Sequence, residues 1–233
     1  MSGPEHGIGH PLGEAIDAPV MVLKSCIGNR SIGWDLLPPG TPRYKHDGKD
    51  QPGYKEMFVS KKDKTIIAYK EGAKGWYAGC QYDGDINSAK KVLEDLNKHY
   101  PGAKKYEVAG FFFWQGDKDS RNGAHAANYE ANLVRFIKAL RKDFKAPNAK
   151  FVCATLGQTK KGDTGNGGLV LNAQMAVDGK TGKYPEFKSN VATVYTNPIS
   201  KGGSSGGHYN GDARTYMNVG LAMGEAMVKL LKE

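Results

Sequence analysis

One polar segment directly after the most apolar predicted strand carries groups that could act on a polarised bond. It contains Trp114, Gln115, Gly116, Asp117 and Asp119. The Gln115 amide can donate an N–H to a developing oxyanion, and Gly116 allows close approach of the backbone. Asp117 and Asp119 place two carboxylates at the carboxyl end of that strand. An Asx-type turn with solvated acids is the alternative interpretation.

Two further segments could complete a catalytic centre. Residues 25–31 follow another apolar run, and Gly28 lets the backbone turn sharply and present an N–H to an oxyanion. An ordinary glycine turn would have the same sequence. His208 lies in a Gly/Ser-rich loop just before the last predicted helix, which suits a mobile general base. A lone loop histidine is more often a plain surface residue, so its significance depends on the other two segments.

The elements that must position these segments follow from apolar periodicity. Short apolar runs predict buried strands over residues 19–24, 107–114, 149–155 and 191–195. Helical spacing of apolar side chains predicts helices over residues 8–16, 85–99, 124–144, 169–177 and 216–231. The alternation predicts one α/β domain over residues 1–233 with a mainly parallel sheet. Ligands bind outside the carboxyl ends of such strands, so the three segments are expected to converge there.

The stretch from residue 36 to 79 differs from the rest of the chain. It is long, polar and rich in Gly, Pro and Lys, and residues 64–69 could form a small strand within it. Loops of this length in compact domains are usually functional or disordered. The stretch is therefore interpreted either as an insertion over the active edge of the sheet or as a mobile surface loop.

Composition excludes several classes of function. The net charge of +9 comes from lysines that are scattered and not interleaved with stacking aromatics, so nucleic-acid binding is not expected. Three cysteines without a CxxC motif form neither a zinc framework nor a disulfide scaffold. No apolar run is long enough to predict a membrane span. The N-terminus lacks a basic-then-apolar signal pattern, which predicts a cytoplasmic chain, although a truncated or mature sequence would look the same.

Taken together, the motifs resemble the conserved blocks of SGNH hydrolases. They are Gly3-Pro4-Glu5, residues 27–31 with Trp34, the Trp-Gln-Gly-Asp segment with Asp119, and the loop histidine His208. The sequence is most similar to the sialate O-acetylesterase-like group, which includes the acetylxylan esterases of carbohydrate esterase family 6. The resemblance implies a three-layer α/β sandwich, an acetylated sugar or polysaccharide as substrate, and serine-esterase chemistry without a cofactor or metal.

The resemblance also implies roles for individual residues. His208 would be the general base, with Asp117 orienting it. Gln115 and the turn at Gly28 and Asn29 would supply the oxyanion donors. The substrate-binding residues implied by the same blocks are Arg30, Trp34, Trp114, Asp119 and Tyr209.

The sequence departs from the family pattern in two places. No Gly-Gln-Ser motif, which carries the nucleophile of the family, occurs in the chain, and Ser205 stands where the family often has an aspartate three residues before the histidine. In the family the serine-bearing strand is central, so its absence would leave a gap in the sheet. Neighbouring strands could close the gap, residues 64–69 could fill it, or a partner chain could donate a strand and make a homo-oligomer. Ser25 or Ser31 would be substitute nucleophiles.

Three other functions remain open from sequence alone. A glycoside hydrolase would use two carboxylates, with Asp117 and Asp119 as the obvious pair and Glu5 or Asp35 as further candidates. A metal enzyme would use His6 and His10, which share a helix face, although a capping and packing role at the helix start is the commoner reason for such a pair. A non-catalytic carbohydrate-binding protein would stack sugars on exposed aromatic rings, for which the candidates are Trp34, Trp76, Trp114 and Tyr209.

Overall fold

A parallel sheet lies at the centre of the fold, and helices cover both of its faces. The computed structural model describes residues 3–58, 62–201 and 208–233. The helices are α1 (Glu5–Ala15), α2 (Cys80–Glu94), α3 (Leu96–His99), α4 (Asp117–Ser120), α5 (Gly123–Asp143), α6 (Gly165–Ala176) and α7 (Ala213–Leu231). The strands are β1 (Tyr44–His46), β2 (Lys49–Gln51), β3 (Glu56–Phe58), β4 (Ile66–Ala68), β5 (Gly110–Trp114), β6 (Lys150–Ala154) and β7 (Val191–Val194).

The central sheet has the order β5-β6-β7 and is parallel throughout. Phe111 pairs with Phe151, and Phe151 pairs with Val191. Three of the four predicted strands are therefore confirmed, with ends shifted by a few residues. Because the strands are parallel, the segments that follow β5, β6 and β7 emerge at the same edge of the sheet.

Alternation along the strands divides the core into two layers. Phe113, Phe151 and Cys153 face a cluster formed with α2, α5 and α6, whereas Val152 and Ala154 face a second cluster formed with α1 and α7. The helices match the predicted ones except that residues 85–99 divide between α2 and α3. The structure confirms the α/β class and the layered sandwich with a parallel sheet.

The predicted first strand over residues 19–24 is wrong. Residues 19–24 belong to no strand, and the side chains of Val20, Met21, Val22 and Leu23 are between 37 and 44% exposed. A strand needs a neighbour for its N–H and C=O groups. Within the described ranges β5 pairs only with β6, so residues 19–24 do not pair with the other edge of β5 and have no neighbouring strand.

The stretch from residue 36 to 79 forms two small antiparallel pairs, β1 with β2 and β3 with β4. The predicted strand at residues 64–69 corresponds to β4, but it pairs with β3 and does not fill the central sheet. Side chains tie this insertion to the body. The Tyr44 hydroxyl donates to the Ala124 carbonyl at 3.0 Å, and the Tyr77 hydroxyl donates to Asp83 at 2.7 Å.

Glycines allow α1 and α7 to approach backbone to backbone. A Cβ at Gly220 would overlap the carbonyl oxygen of Pro4, and one at Gly7 would lie 2.6 Å from the carbonyl oxygen of Met217. Real Cβ atoms do not occupy such positions, so only glycine permits this packing. No helix among the described residues has the length and apolarity needed to cross a bilayer.

The Gly220→Ala substitution is expected to destabilise the protein, because α1 must move away from α7 to admit the methyl group. Overpacking of this kind costs about 1–3 kcal/mol of unfolding free energy. Gly84 in α2 is the matched control, since a Cβ there meets no atom within 4 Å. Gly84→Ala is expected to be neutral or to stabilise by about 0.5–1 kcal/mol. Urea unfolding of both variants checks this, and equal stabilities would contradict it.

Candidate active site

A buried carboxylate after β5 joins two of the three predicted segments. Asp119 in α4 is fully buried. It accepts hydrogen bonds from the main-chain N–H groups of Ile32 at 3.0 Å and Gly33 at 2.9 Å. It also accepts one from Nε2 of Gln115 at 2.6 Å. The carboxylate thus holds the end of the glycine turn against the corner that follows β5.

The Gln115 amide is held in one orientation by groups on all sides. Its Nε2 donates to the Arg30 carbonyl at 2.8 Å as well as to Asp119. The Tyr129 hydroxyl lies 3.2 Å from Oε1 and 2.9 Å from the main-chain oxygen of Gln115, to which Gln174 also donates at 2.8 Å. Both N–H bonds of the amide already have acceptors, so an oxyanion would have to displace one of them.

A second buried carboxylate, Asp35, holds the other side of the same turn. It accepts from the N–H of Ser31 at 2.8 Å and from the Ser31 hydroxyl at 3.1 Å. The Arg30 guanidinium donates to it at 3.2 Å, and the indole N–H of Trp76 donates at 2.8 Å. Sequence reasoning considered Asp35 only as a possible glycosidase acid. The position of Asp35 a few residues after Arg30 and Ser31 is the sequence feature that could have predicted its hydrogen bonds to them.

The Gly28–Asn29 turn itself is exposed at the carboxyl edge of the sheet. Asn29 has a φ of 59°, a left-handed conformation that asparagine tolerates better than most residues. Gly28 has open space where a Cβ would be. Through the Arg30 carbonyl the turn joins directly onto Gln115, so these two predicted segments are brought together.

His208 is exposed, and its neighbour Tyr209 fixes where it lies. The Tyr209 ring stacks on Trp114 with centroids 5.7 Å apart, and its hydroxyl donates to Gln158 at 3.0 Å and accepts from the N–H of Gly157 at 3.0 Å. Gln158 donates in turn to Asp117 at 3.4 Å. The histidine is thereby tied to the loops that follow β5 and β6. Residues 202–207, including Ser205, lie outside the described residues.

Several residues lie in surroundings that differ from those their expected roles require. Asp119 and Tyr209 were expected to bind substrate, but both are buried, Tyr209 with 6% exposure. The polar atoms of each side chain already form hydrogen bonds with other protein groups. Asp117 was expected to orient His208, whereas its carboxylate contacts Gln158 and pairs with Arg121 at 2.7 Å. Because Asp119 is buried and accepts from three protein donors, it would have to exchange one of them before it could act in the glycoside hydrolase pair.

The remaining aromatic and cationic candidates keep part of their surface open. Trp114 donates its indole N–H to the Thr155 carbonyl at 3.0 Å and remains half-buried. Trp34 is also half-buried and stacks on Phe58 at 5.4 Å. Arg30 lies over the Trp76 ring, with Cζ 4.3 Å from its centroid. These positions remain compatible with contact to a substrate.

The serines near the turn differ in accessibility. Ser31 is buried, and its hydroxyl donates to Asp35, so it is held away from solvent. Ser25 is exposed in the extended segment before the turn. His6 and His10 lie on α1, where His10 pairs with Glu14 at 3.5 Å. Across the part of the chain that the structure describes, no group of three or more potential ligands could hold a metal ion.

Burial shifts the pKa values of two neighbouring groups in opposite directions. It raises the pKa of Asp119 to about 6, against the lowering effect of its three N–H donors. It lowers the pKa of His125 to about 4. The His125 ring packs on Gly33, and its Nδ1 is buried without a hydrogen-bond partner, 3.9 Å from Asp119. At neutral pH the site therefore contains a neutral imidazole beside an ionised carboxylate.

The His125→Gln substitution is expected to make stability less sensitive to acid. Because the pKa of His125 is lowered on folding, the neutral imidazole contributes fully to the unfolding free energy above pH 6.5, and this contribution is lost as pH falls towards 4. Asp119, with its raised pKa, contributes in the opposite sense. Between pH 7 and 4 the wild type is expected to lose on the order of 3 kcal/mol more than the variant. Urea unfolding across this range checks it.

Replacement of His99, an exposed histidine in α3, by Gln is the control for losing an imidazole at the surface. Wild-type and His125→Gln stabilities that run parallel from pH 7 to 4 would contradict a buried neutral imidazole at this position.

Comparison with known proteins identifies a family for most of the chain. The model of the family described as "Carbohydrate esterase, sialic acid-specific acetylesterase" matches residues 67–229, well over half of the chain. No curated protein matches the sequence significantly.

Among solved structures, an X-ray structure of a protein from Arabidopsis thaliana aligns with 68% of this chain at 18% identity and a TM-score of 0.45. This chain spans about half, 53%, of that protein's length. The matched family segment contains the Gln115 corner and His208, and it excludes residues 28–33 and most of the insertion. On the extent of the family match, the chain belongs to the sialic acid-specific acetylesterase family of carbohydrate esterases.

Proposed function

We propose that this chain removes O-acetyl groups from sugars or polysaccharides, with His208 as the general base. The observation that carries the proposal is the anchoring of Tyr209. Tyr209 stacks on Trp114 and bonds to the turn after β6, which ties the residue next to His208 to the loops at the carboxyl edge of the sheet, and the link between the Gly28–Asn29 turn and Gln115 lies at the same edge. Family membership supports ester hydrolysis on a carbohydrate.

In this mechanism His208 takes a proton from the nucleophile as it attacks the acetyl carbonyl, and gives that proton to the sugar oxygen as the ester C–O bond breaks and the sugar leaves as an alcohol. With water as the nucleophile this releases acetate directly, and with a serine a second water releases acetate from the acetyl-enzyme. Negative charge develops on the acetyl carbonyl oxygen as the tetrahedral intermediate forms. The exposed N–H groups of the Gly28–Asn29 turn are the first donors available to it. Gln115 supports the turn through the Arg30 carbonyl, and it becomes an oxyanion donor only by exchanging one of its present acceptors.

Two serines near the turn, Ser25 and Ser31, differ in their access to a substrate. Ser31 is excluded from direct attack by its burial and its bond to Asp35, which leaves Ser25 as the exposed serine beside the turn. Ser25 lies on no nucleophile-elbow sequence. Carbohydrate binding without turnover is therefore the second candidate, and the sequestered hydroxyl of Ser31 is the observation that favours it.

The His208→Ala substitution is expected to lower the rate of p-nitrophenyl acetate hydrolysis by about 100-fold or more, since a positioned general base contributes on that scale. His10→Ala, which removes an exposed imidazole on α1, is the matched control and should keep the wild-type rate. Spectrophotometric release of p-nitrophenolate from purified protein is the measurement.

Equal rates for wild type and His208→Ala would reject His208 as the base. A Ser25→Ala variant in the same assay separates direct attack by water from attack by Ser25. Release of reducing sugar from an acetylated glycan, without release of acetate, would favour glycoside hydrolysis instead.

A further inference from the structure

The loop after β6 leads into a helix whose first N–H groups are not capped. Thr164 directly precedes α6, and its side chain accepts no hydrogen bond from the helix. Among the described residues, no group accepts from the N–H groups of Gly165, Asn166 or Gly167. The first N–H groups of a helix have no partner inside it, so these three can bind an acceptor from outside.

Glycines leave the first turn of α6 open to close approach. Three of its first four residues are glycine, at positions 165, 167 and 168. A Cβ at Gly165 would meet no atom within 4 Å, and one at Gly167 would meet only the side chain of Thr159, at 3.8 Å. A small ligand could therefore lie directly against the backbone of this turn.

A buried hydroxyl lies beside the same turn without a partner. Thr159 is 6% exposed, and its Oγ1 is 3.8 Å from the Cβ position of Gly167. In the part of the chain that the structure describes, nothing forms a hydrogen bond with this hydroxyl. Buried polar groups nearly always have partners, so an unpaired hydroxyl next to uncapped N–H groups points to a ligand that both could bind.

The start of a second helix lies against this turn. The side-chain oxygen of Asn166 is 3.9 Å, and Nε2 of His46 is 3.4 Å, from the Cβ position of Gly123, the first residue of α5. The N-terminal end of a helix carries a partial positive charge. Because α5 and α6 begin side by side, these partial charges add at one place on the carboxyl edge of the sheet.

The loop before α6 adds full positive charges. Lys160 and Lys161 are both exposed. Asp163 is the one acidic residue between β6 and α6, and its carboxylate accepts the main-chain N–H of Lys160 at 2.7 Å. The loop and the two helix ends together therefore favour a ligand of negative charge.

We infer that Thr159 and the first turn of α6 form a binding site for a phosphate or sulfate group. A tetrahedral oxyanion accepts several hydrogen bonds at once, and a glycine-rich helix start presents N–H groups and positive charge to it. The Thr159 hydroxyl would donate one further hydrogen bond to the same group. The site does not depend on ester hydrolysis, and its ligand would be either free phosphate or a charged substituent on a sugar.

Titration of the intact protein with inorganic phosphate at constant ionic strength tests the site. In heteronuclear NMR spectra the amides of Gly165, Asn166 and Gly167 are expected to shift in a saturable way. The first turn of α7 is the internal control, because the Asp212 side chain already caps that helix. Glucose 6-phosphate is titrated in the same way, and tighter binding than inorganic phosphate would assign the site to an anionic sugar.

Thr159→Val keeps the shape of the side chain but removes the hydroxyl. It is expected to weaken phosphate binding by about tenfold or more, because a hydrogen bond to a charged group is lost. Thr159→Ser keeps the hydroxyl and should retain most of the affinity. Thr65→Val, at an exposed threonine in the insertion, is the matched control and should bind as the wild type does.

Three results would overturn the site: no saturable shift at Gly165–Gly167 in the wild type, equal shifts at the starts of α6 and α7, or unchanged affinity in Thr159→Val. The outcome is separate from that of the esterase proposal, since phosphate binding is measured without ester hydrolysis and without any change at His208.

Discussion

The candidate site depends on two buried carboxylates that hold residues 30–33 from opposite sides. Asp119 takes the N–H groups of Ile32 and Gly33 together with the Gln115 amide, and Asp35 takes Ser31, Arg30 and Trp76. Neither carboxylate would be stable in the interior without these donors, because an unpaired buried charge is strongly unfavourable. The hydrogen bonds that stabilise the two carboxylates therefore also fix the conformation of residues 30–33.

The same constraint connects parts of the chain that are far apart in sequence. Asp119 comes from α4, and Trp76 comes from the insertion. The His208 loop joins this assembly through a different interaction, the stack of Tyr209 on Trp114 at the end of β5. An esterase requires donors that need not rearrange when charge develops, and at this edge the exposed Gly28–Asn29 turn meets that requirement better than the Gln115 amide, whose N–H groups already have acceptors.

Sequence periodicity predicted the strands and helices whose apolar patterns are local. It failed where the structure of a segment depends on a neighbour that is distant in the sequence. The runs around β5, β6 and β7 are apolar on both faces, as strands covered by helices must be. Residues 19–24 have the same composition, but composition cannot show whether a neighbouring strand exists. Asp119 was predicted to be an accessible acid because two of its three N–H donors, those of Ile32 and Gly33, are more than eighty residues away in the sequence. Tyr209 was predicted to bind substrate because its stacking partner, Trp114, lies about a hundred residues earlier in the sequence.

Amide hydrogen exchange at Ile32 and Gly33 tests the central constraint most directly. In Asp119→Ala both amides should exchange about tenfold or more faster relative to the core amides of α5, because they lose the acceptor that protects them. In Asp117→Ala, which removes a partly exposed carboxylate from the same short helix, both should exchange at the wild-type rate. Wild-type protection of Ile32 and Gly33 in Asp119→Ala would contradict the account.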